Sequence, residues 1–462
     1  MGILKEIFNY ISGLGSYVMI PLMITLVGLL VRLHPIKALK AGMTVGIGLI
    51  SLNLVLGLIW TNISPVANLL VEKFGLKLTT IDTGWGAAAG LAFSTTVGSF
   101  IIPFILIVNI LMLTLKLTNT VNIDIWNYWH YAFTGSVIYL LTHNIVYAFI
   151  GAAAHCIISL KIADYTAPKV QKELGIPGIS IPQGFAVSTV PIFDLLDKFY
   201  DLFIPKSKKD NSDSKDKGKE IDSSKFGFLS VIAEPIFLGF IIGFLLALLV
   251  SYSIKDALNL GMEMAALMFL LPRATKILME GLVPINEQAR NYMQKKYNGQ
   301  EFYIGLDSAV LLGVPTTVAV GLLLIPITLV LAMIIPTNTT LPVGDLASTA
   351  FFISMATVIH NRSFIKTLLS GTIMMSIVLC ISSFFAPMIT IFAKSGAAAM
   401  PEGALQVTAL SAGNPIAFVF YQLNRLGIVG IALIIALTAG IVYFYSMKTK
   451  RETIKEDKGV VL

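Results

Sequence analysis

The chain has 462 residues, of which 56% are hydrophobic and 13% charged, and a net charge of +7. A soluble protein carries about 25% charged residues, and about 20 consecutive apolar residues span a bilayer as a helix. This composition excludes an ordinary soluble globular protein and points to an all-α polytopic membrane protein. In such a protein the basic excess belongs to cytoplasmic loops, so it does not imply a nucleic-acid partner.

In chain order, the first apolar segments are residues 10–31, 41–60, 87–115, 129–160 and 185–203. Residues 1–10 contain Lys5 and Glu6 and lead into the first segment without a small-residue cleavage site, so no cleavable signal peptide is expected. Residues 205–225 hold seven lysines and five acids and read as a solvated loop. A second series follows at 228–252, 257–278, 306–335, 346–358, 365–393 and 406–421, and a final span at 426–447 precedes a charged tail. Cys156 and Cys380 lie in apolar segments without CxxC spacing, which suits small buried hydrophobes.

The two series echo one another. Gly84, Ala88, Leu91, Thr95, Thr96, Val97, Met112, Thr118 and Asp124 each meet the same residue 221 positions later. Ile36-Lys37 is echoed by Ile254-Lys255, Gly42-Met43 by Gly261-Met262, Pro65 by Pro284, and His143-Asn144 by His360-Asn361. The pattern predicts two repeats, 1–204 and 228–421, separated by a polar cytoplasmic loop at 205–227 and followed by a last span and tail at 422–462. Arg32, Lys37 and Lys40, the lysine-rich loop, and Lys448, Lys450 and Arg451 all fall inside if the N-terminus is outside and the C-terminus cytoplasmic. An odd number of spans then precedes the loop, and the repeats are inverted, an architecture of secondary transporters with substrate at the repeat interface.

Two stretches interrupt the apolar pattern. Residues 84–90 read Gly-Trp-Gly-Ala-Ala-Ala-Gly, and residues 175–184 carry two prolines and three glycines. Both are candidate re-entrant tips or unwound turns, since irregular backbone at membrane depth must line protein or a cavity. The alternative for each is an interfacial loop.

Asp307 opens a long apolar run, and an acid there is either a helix N-cap or a cavity-facing group that accepts substrate hydroxyls. Trp85 occupies the matching part of the first repeat, and Gly86 is the formal counterpart of Asp307. Asp124 and Asp345 each follow a polar turn, where N-capping competes with ligand contact. His130, in a crowd of Asn122, Trp126, Asn127 and Trp129, is a candidate substrate donor. His143 and His360 sit beside apolar spans, where interhelical hydrogen bonding competes with a role in the site. Arg273 and Lys276 face a cavity or snorkel to an interface. Motifs for ATP binding, zinc hydrolysis and serine nucleophiles are missing, so no cofactor, metal or catalytic residue is expected, and the energy for transport comes from an ion gradient or another protein.

Several phrases occur together: Val121-Asn122-Ile123-Asp124-Ile125-Trp126-Asn127, Gly178-Ile179-Ser180-Ile181-Pro182-Gln183-Gly184, Glu234-Pro235, Pro272-Arg273, Gly299-Gln300-Glu301-Phe302 leading to Gly305-Leu306-Asp307, and Leu341-Pro342-Val343-Gly344-Asp345. In these the chain resembles, nearly end to end, the galactitol-type enzyme IIC of the bacterial phosphoenolpyruvate-dependent sugar phosphotransferase system, in the ascorbate–galactitol superfamily. The resemblance implies a homodimeric permease of about 11 spans in the bacterial cell membrane. It implies two re-entrant hairpins, a dimerising domain, and a mobile core domain that carries a sugar or polyol by an elevator-type movement. A separate cytosolic phospho-IIB protein, itself charged by IIA, then phosphorylates the sugar. Two departures stand out: Gln183, where the family usually has histidine, and Gly86, where relatives often have proline. They leave the exact sugar open. An ion-gradient-coupled sugar symporter is the alternative function, and a non-transporting sensor a third.

Overall fold

The computed structural model describes residues 16–30, 32–73, 80–82, 84–122, 124–203, 235–296, 302–342, 345–395 and 406–457. The polar loop 205–227 therefore lies outside the described residues, as do parts of several family phrases.

The described chain is mostly helical. Helices α1 (Ser16–Leu30), α2 (Pro35–Lys73), α8 (Pro235–Leu249) and α9 (Ile254–Lys296) form one bundle. Small residues let these backbones approach. A Cβ on Gly239 would meet the Met264 carbonyl oxygen at 2.7 Å, one on Gly243 the Leu260 carbonyl oxygen at 2.7 Å, and one on Gly281 the Ala41 carbonyl oxygen at 2.9 Å.

The remaining helices are α3 (Gly84–Ser94), α4 (Thr96–Thr114), α5 (Trp129–Thr142), α6 (Ile145–Leu174), α7 (Gly184–Tyr200), α10 (Pro315–Ile334), α11 (Thr349–Phe352), α12 (Ser354–Ile359), α13 (Phe364–Ser395), α14 (Pro415–Asn424) and α15 (Ile428–Asp457). Four segments among the described residues are long and apolar enough to cross a membrane: Ile145–Leu174, Pro315–Ile334, Phe364–Phe392 and Ile428–Thr449.

The breaks between helices follow local chemistry. The apolar run 129–160 is two helices, because His143 adopts a left-handed φ of 50° and Asn144 caps α6 through the Val146 and Tyr147 amides. The run 346–358 is likewise broken, into a 3-10 turn (Leu346–Ser348), α11 and α12. The run 406–421 is a strand, a 3-10 turn and α14, which starts at Asn414-Pro415 with the asparagine as cap. The glycine-rich stretch 84–90 is helical rather than unwound, and its irregularity comes later, at Thr95, which caps α4 through the Gly98 amide. Residues 175–184 do leave helical geometry, with positive φ at Gly175 and Gly178.

Among the described residues six very short strands join the two halves of the chain: β1 (Thr80–Asp82), β2 (Thr120–Asn122), β3 (Ile179–Ser180), β4 (Tyr303–Gly305), β5 (Thr340–Leu341) and β6 (Gln406–Thr408). They form two parallel three-stranded sheets, ordered β5–β1–β6 and β2–β4–β3. In each sheet the central strand comes from one half and both flanking strands from the other. Neither half can complete its sheet alone.

A charged layer closes one end of the helices. Lys448 of α15 reaches Asp194 of α7 at 2.8 Å and lies over the Tyr165 ring of α6 at 4.1 Å. Lys366 at the start of α13 pairs with Asp197 at 3.0 Å and Asp201 at 2.7 Å, and Arg362 pairs with Glu173. The end of α7, which leads into the polar loop, therefore shares a side with the end of α15.

Candidate functional site

Within a parallel sheet all strands end on the same side, so three loops converge at the carboxyl edge, where open sheets collect ligand groups. The two sheets here build this edge differently.

At the β5–β1–β6 edge two buried carboxylates lock the loops together. Asp82 Oδ1 accepts from the backbone N–H of Gly84 at 2.9 Å and of Leu410 at 3.3 Å, and its Oδ2 accepts from Asp345 N–H at 2.7 Å. Asp345 in turn accepts from Trp85 N–H at 2.6 Å on Oδ1 and from Ser411 N–H at 2.9 Å on Oδ2. Every carboxylate oxygen of the pair thus holds at least one backbone donor. Asp345, Trp85 and Gly86 from the sequence reading belong to this edge. Asp82 was missed, because an acid ending a three-residue strand has no sequence signature.

At the β2–β4–β3 edge Gly305 stands where Asp82 stands in the other sheet, paired with Asn122 on one side and Ser180 on the other. Its hydrogens face Pro182 Cγ and the Asn122 backbone so closely that a Cβ would meet them at 2.7 Å and 3.0 Å. Among the described residues no pair of carboxylates clasps the loops here as Asp82 and Asp345 do. Asp307 caps the 3-10 turn Ser308–Gly313 through the Ala309 amide at 2.6 Å and also hydrogen-bonds Asn127, whose Nδ2 donates to Asp124 at 3.2 Å. Asp124 and Asp307 are both half-buried. The Asn122 side-chain amide is buried with neither Oδ1 nor Nδ2 paired; the nearby Tyr131 hydroxyl donates instead to the Pro182 carbonyl at 2.9 Å. Ser308 Oγ is also buried and unpaired.

The polar turns that precede these edges are anchored by unlike residues. Asp164 accepts from Thr118 Oγ1, Asn119 N–H and Thr120 Oγ1 at 3.0, 3.1 and 2.9 Å. In the other half Ser383 Oγ accepts from the Thr339 and Thr340 amides at 3.0 and 3.2 Å.

Gln183 and His130 meet beside the second edge. Gln183 Oε1 accepts from Ala186 N–H and caps α7, and its Nε2 lies 2.8 Å from His130 Nε2. The structure thus brings Asp124, His130, Gln183 and Asp307 to one sheet and Trp85, Gly86 and Asp345 to the other. His143 lies at neither; it is exposed at the α5–α6 bend. His360 belongs to the charged layer, with Nδ1 2.9 Å from Asp197 Oδ1 and Nε2 2.8 Å from Ser370 Oγ. Arg273 is exposed on α9, over the Phe269 ring at 3.4 Å. Sequence reasoning also missed His155 and Asn414, both of which contact Gly184; the only local signal was the Asn414-Pro415 helix start. Among the described residues no group of three or more His, Cys, Asp or Glu side chains is placed to hold a metal.

This edge offers hydroxyl acceptors (two carboxylates), an unpaired amide and a histidine–glutamine pair, which suits a small polyhydroxylated molecule. The chain as a whole resembles known proteins. Residues 10–403 match the family model described as the PTS system sugar-specific permease component. A putative permease IIC component of Escherichia coli (strain K12) is 43% identical over 437 residues, covering 95% of this chain and 98% of that protein. The PTS system galactitol-specific EIIC component of the same strain is 34% identical over 459 residues, 99% of each chain, as is that of Escherichia coli O157:H7. With its apolar spanning helices, the chain is an integral membrane protein and belongs to the family of sugar-specific permease (IIC) components of the phosphotransferase system.

Proposed function

We propose that the protein binds a polyol or sugar of the galactitol type at the β2–β4–β3 edge and carries it inward by an elevator-type movement. A separate cytosolic phospho-IIB protein, charged by IIA, phosphorylates the sugar on arrival. Asp307 and Asp124 accept substrate hydroxyls, the Asn122 amide both donates and accepts, and His130 with Gln183 completes the polar wall. Asp345 and Trp85 serve the architecture of the opposite edge. The observation that carries this reading is the difference between the two edges. One has every carboxylate oxygen held by backbone donors, whereas the other has two half-buried acids and a buried amide that makes no side-chain hydrogen bond of ordinary length among the described residues. A buried, unpaired amide costs about 1–3 kcal/mol, which a bound hydroxyl recovers.

The exchanged central strands support two inverted repeats that close on each other. The bundle of α1, α2, α8 and α9, with exposed apolar faces that include Leu54, Met43 and Met262, suits the dimerising domain of a homodimer in lipid. The placement of both the α7 end and the α15 end in one charged layer supports a cytoplasmic C-terminus.

The test is Asp307→Asn in purified protein. Loss of a charge-assisted hydrogen bond of about 1.5–3 kcal/mol weakens galactitol binding by roughly tenfold to a hundredfold, with thermal stability kept. Wild-type affinity in this variant overturns the site. Uptake in vesicles is expected to require phosphorylated IIB and to deliver phosphorylated sugar; accumulation of free sugar on an ion gradient alone overturns the coupling.

A further inference from the structure

The turn that carries Gln183 is held by side chains from three other parts of the chain. Tyr131 of α5 donates to the Pro182 carbonyl at 2.9 Å. His155 of α6 and Asn414 at the start of α14 both converge on the Gly184 carbonyl, at 3.1 Å and 3.2 Å. His155 is fully buried and Asn414 nearly so.

The proton positions follow from these partners. The Gly184 carbonyl only accepts, so His155 carries its proton on Nε2. Its Nδ1 lies 2.8 Å from Thr134 Oγ1, a hydroxyl that donates to the His130 carbonyl at 3.0 Å. Asn414 Oδ1 accepts from the Ile416 and Ala417 amides at 2.9 and 3.1 Å, which turns its Nδ2 toward Gly184. Gln183 Oε1 is occupied by the Ala186 amide, so its Nε2 donates and His130 Nε2 accepts. His130 must therefore hold its proton on Nδ1. Gly184 packs against His130 so tightly that a Cβ there would meet His130 Cβ at 2.7 Å. A small shift of Gly184 is thus transmitted directly to the His130–Gln183 contact.

Asn414 also connects this turn to the other sheet. Four residues before it, Leu410 N–H donates to Asp82, and Ser411 N–H donates to Asp345. One short segment of the C-terminal half thereby touches the carboxylate clasp at one end and Gly184 at the other.

We propose that His155 and Asn414 are positioning residues for substrate recognition. Through the Gly184 carbonyl they set the place of Gln183 and fix His130 in its Nδ1–H tautomer, so that sugar preference at an edge built by β2, β3 and β4 depends on a residue of α14. This rests on the reading of that edge as the sugar site.

The experiment uses full-length protein in nanodiscs, labelled with 15N-histidine; with five histidines in the chain the ring signals can be assigned by substitution. Asn414→Asp keeps the helix cap, because aspartate caps as well as asparagine, but removes the donor to Gly184. The expected result is a His130 ring that loses its single Nδ1–H tautomer, together with about tenfold weaker galactitol binding and a changed ratio of galactitol to sorbitol affinity. His155→Leu is expected to act alike and His155→Gln, whose Nε2 can replace the lost donor, to restore the wild-type His130 signals. Asn414→Ser, which also caps but is too short to reach Gly184, gives the same readout if Asn414→Asp does not fold. Unchanged His130 signals and an unchanged affinity ratio in the donor-less variants overturn the proposal. Failure of the sugar-site reading is separate: it appears as wild-type galactitol binding by Asp307→Asn, whatever the His130 spectrum does.

Discussion

The backbone N–H of Asp345 donates to Asp82 Oδ2 at 2.7 Å, although 263 residues separate them in the chain. Asp345 returns the arrangement by accepting from Trp85, just beyond Asp82. Each acid thus holds the loop that carries the other, and the two halves of the chain are joined at this point without a covalent link.

This clasp leads to a first prediction. Asp82→Ala removes the acceptor for the Gly84, Leu410 and Asp345 amides. Each buried donor left unpaired costs about 1–3 kcal/mol, so the variant should unfold at markedly lower temperature and give lower yields of monodisperse protein. Asp307→Asn, at the edge without a clasp, should melt close to wild type. Comparison of both by thermal unfolding in detergent checks this; equal melting temperatures would remove the distinction between the edges.

Asn122 gives a prediction of opposite sign. Among the described residues its buried amide makes no hydrogen bond of ordinary length, with the Tyr131 hydroxyl beside it turned to Pro182, and replacement of an unsatisfied polar group by an apolar group of similar shape is neutral or stabilising. Asn122→Leu should therefore raise the melting temperature while it lowers galactitol affinity by about tenfold or more. Its own backbone N–H still donates to Asn109 Oδ1 at 3.0 Å, so β2 is preserved. A variant both less stable and normal in binding would show that the amide serves the fold.

The charged layer carries a pH dependence. Burial pushes the Asp197 carboxyl up, but hydrogen bonds from His360 and Lys366 and their charges outweigh this and hold it below its ordinary value of 3.8. A carboxylate with a depressed folded value contributes stability that is complete above its unfolded value and is lost as pH falls through the folded one. Asp197→Asn should thus melt below wild type at neutral pH, and the gap should close only as pH falls below about 3.8. Melting curves of both proteins across acid pH measure it; a gap that persists unchanged well below pH 3.8 would show that the Asp197 charge does not carry it.

Orientation can be read by labelling. Cys156 is buried and Cys380 half-buried, so the background is low. Ser212→Cys in the polar loop should react with a membrane-impermeant maleimide in inside-out vesicles and be protected in intact cells. Reaction from outside reverses the topology.

Much of the membrane architecture was legible because hydrophobic length is a local property. The apolar runs at 365–393 and 426–447 match helices Phe364–Ser395 and Ile428–Asp457, and the run 306–335 contains helix Pro315–Ile334 after a 3-10 turn at Ser308–Gly313. The runs 346–358 and 406–421 misled, because they are apolar for burial inside protein and are broken at Ile353 and Asn414; the run 129–160 is divided by the Asn144 cap, and its second part opens the apolar helix Ile145–Leu174. Hydropathy registers apolar surroundings but does not distinguish lipid from a protein core. The glycines at 84–90 misled in the other direction: they lie in helix α3.

Asp307 and Asp345 mark the boundary between what sequence determines and what it does not. By themselves the residues determined a helical membrane protein, a polar interruption ahead of each acid, and a family resemblance that full-length relatives bear out. In sequence both acids stand ahead of an apolar run. Only the tertiary structure decided that Asp345 is buried among the Trp85 and Ser411 amides while Asp307 stays half-buried beside Asn127 and Asp124. The reason is physical. A carboxylate's role is set by which donors surround it, and here those donors arrive on strands exchanged between distant halves of the chain, whose register no local pattern encodes.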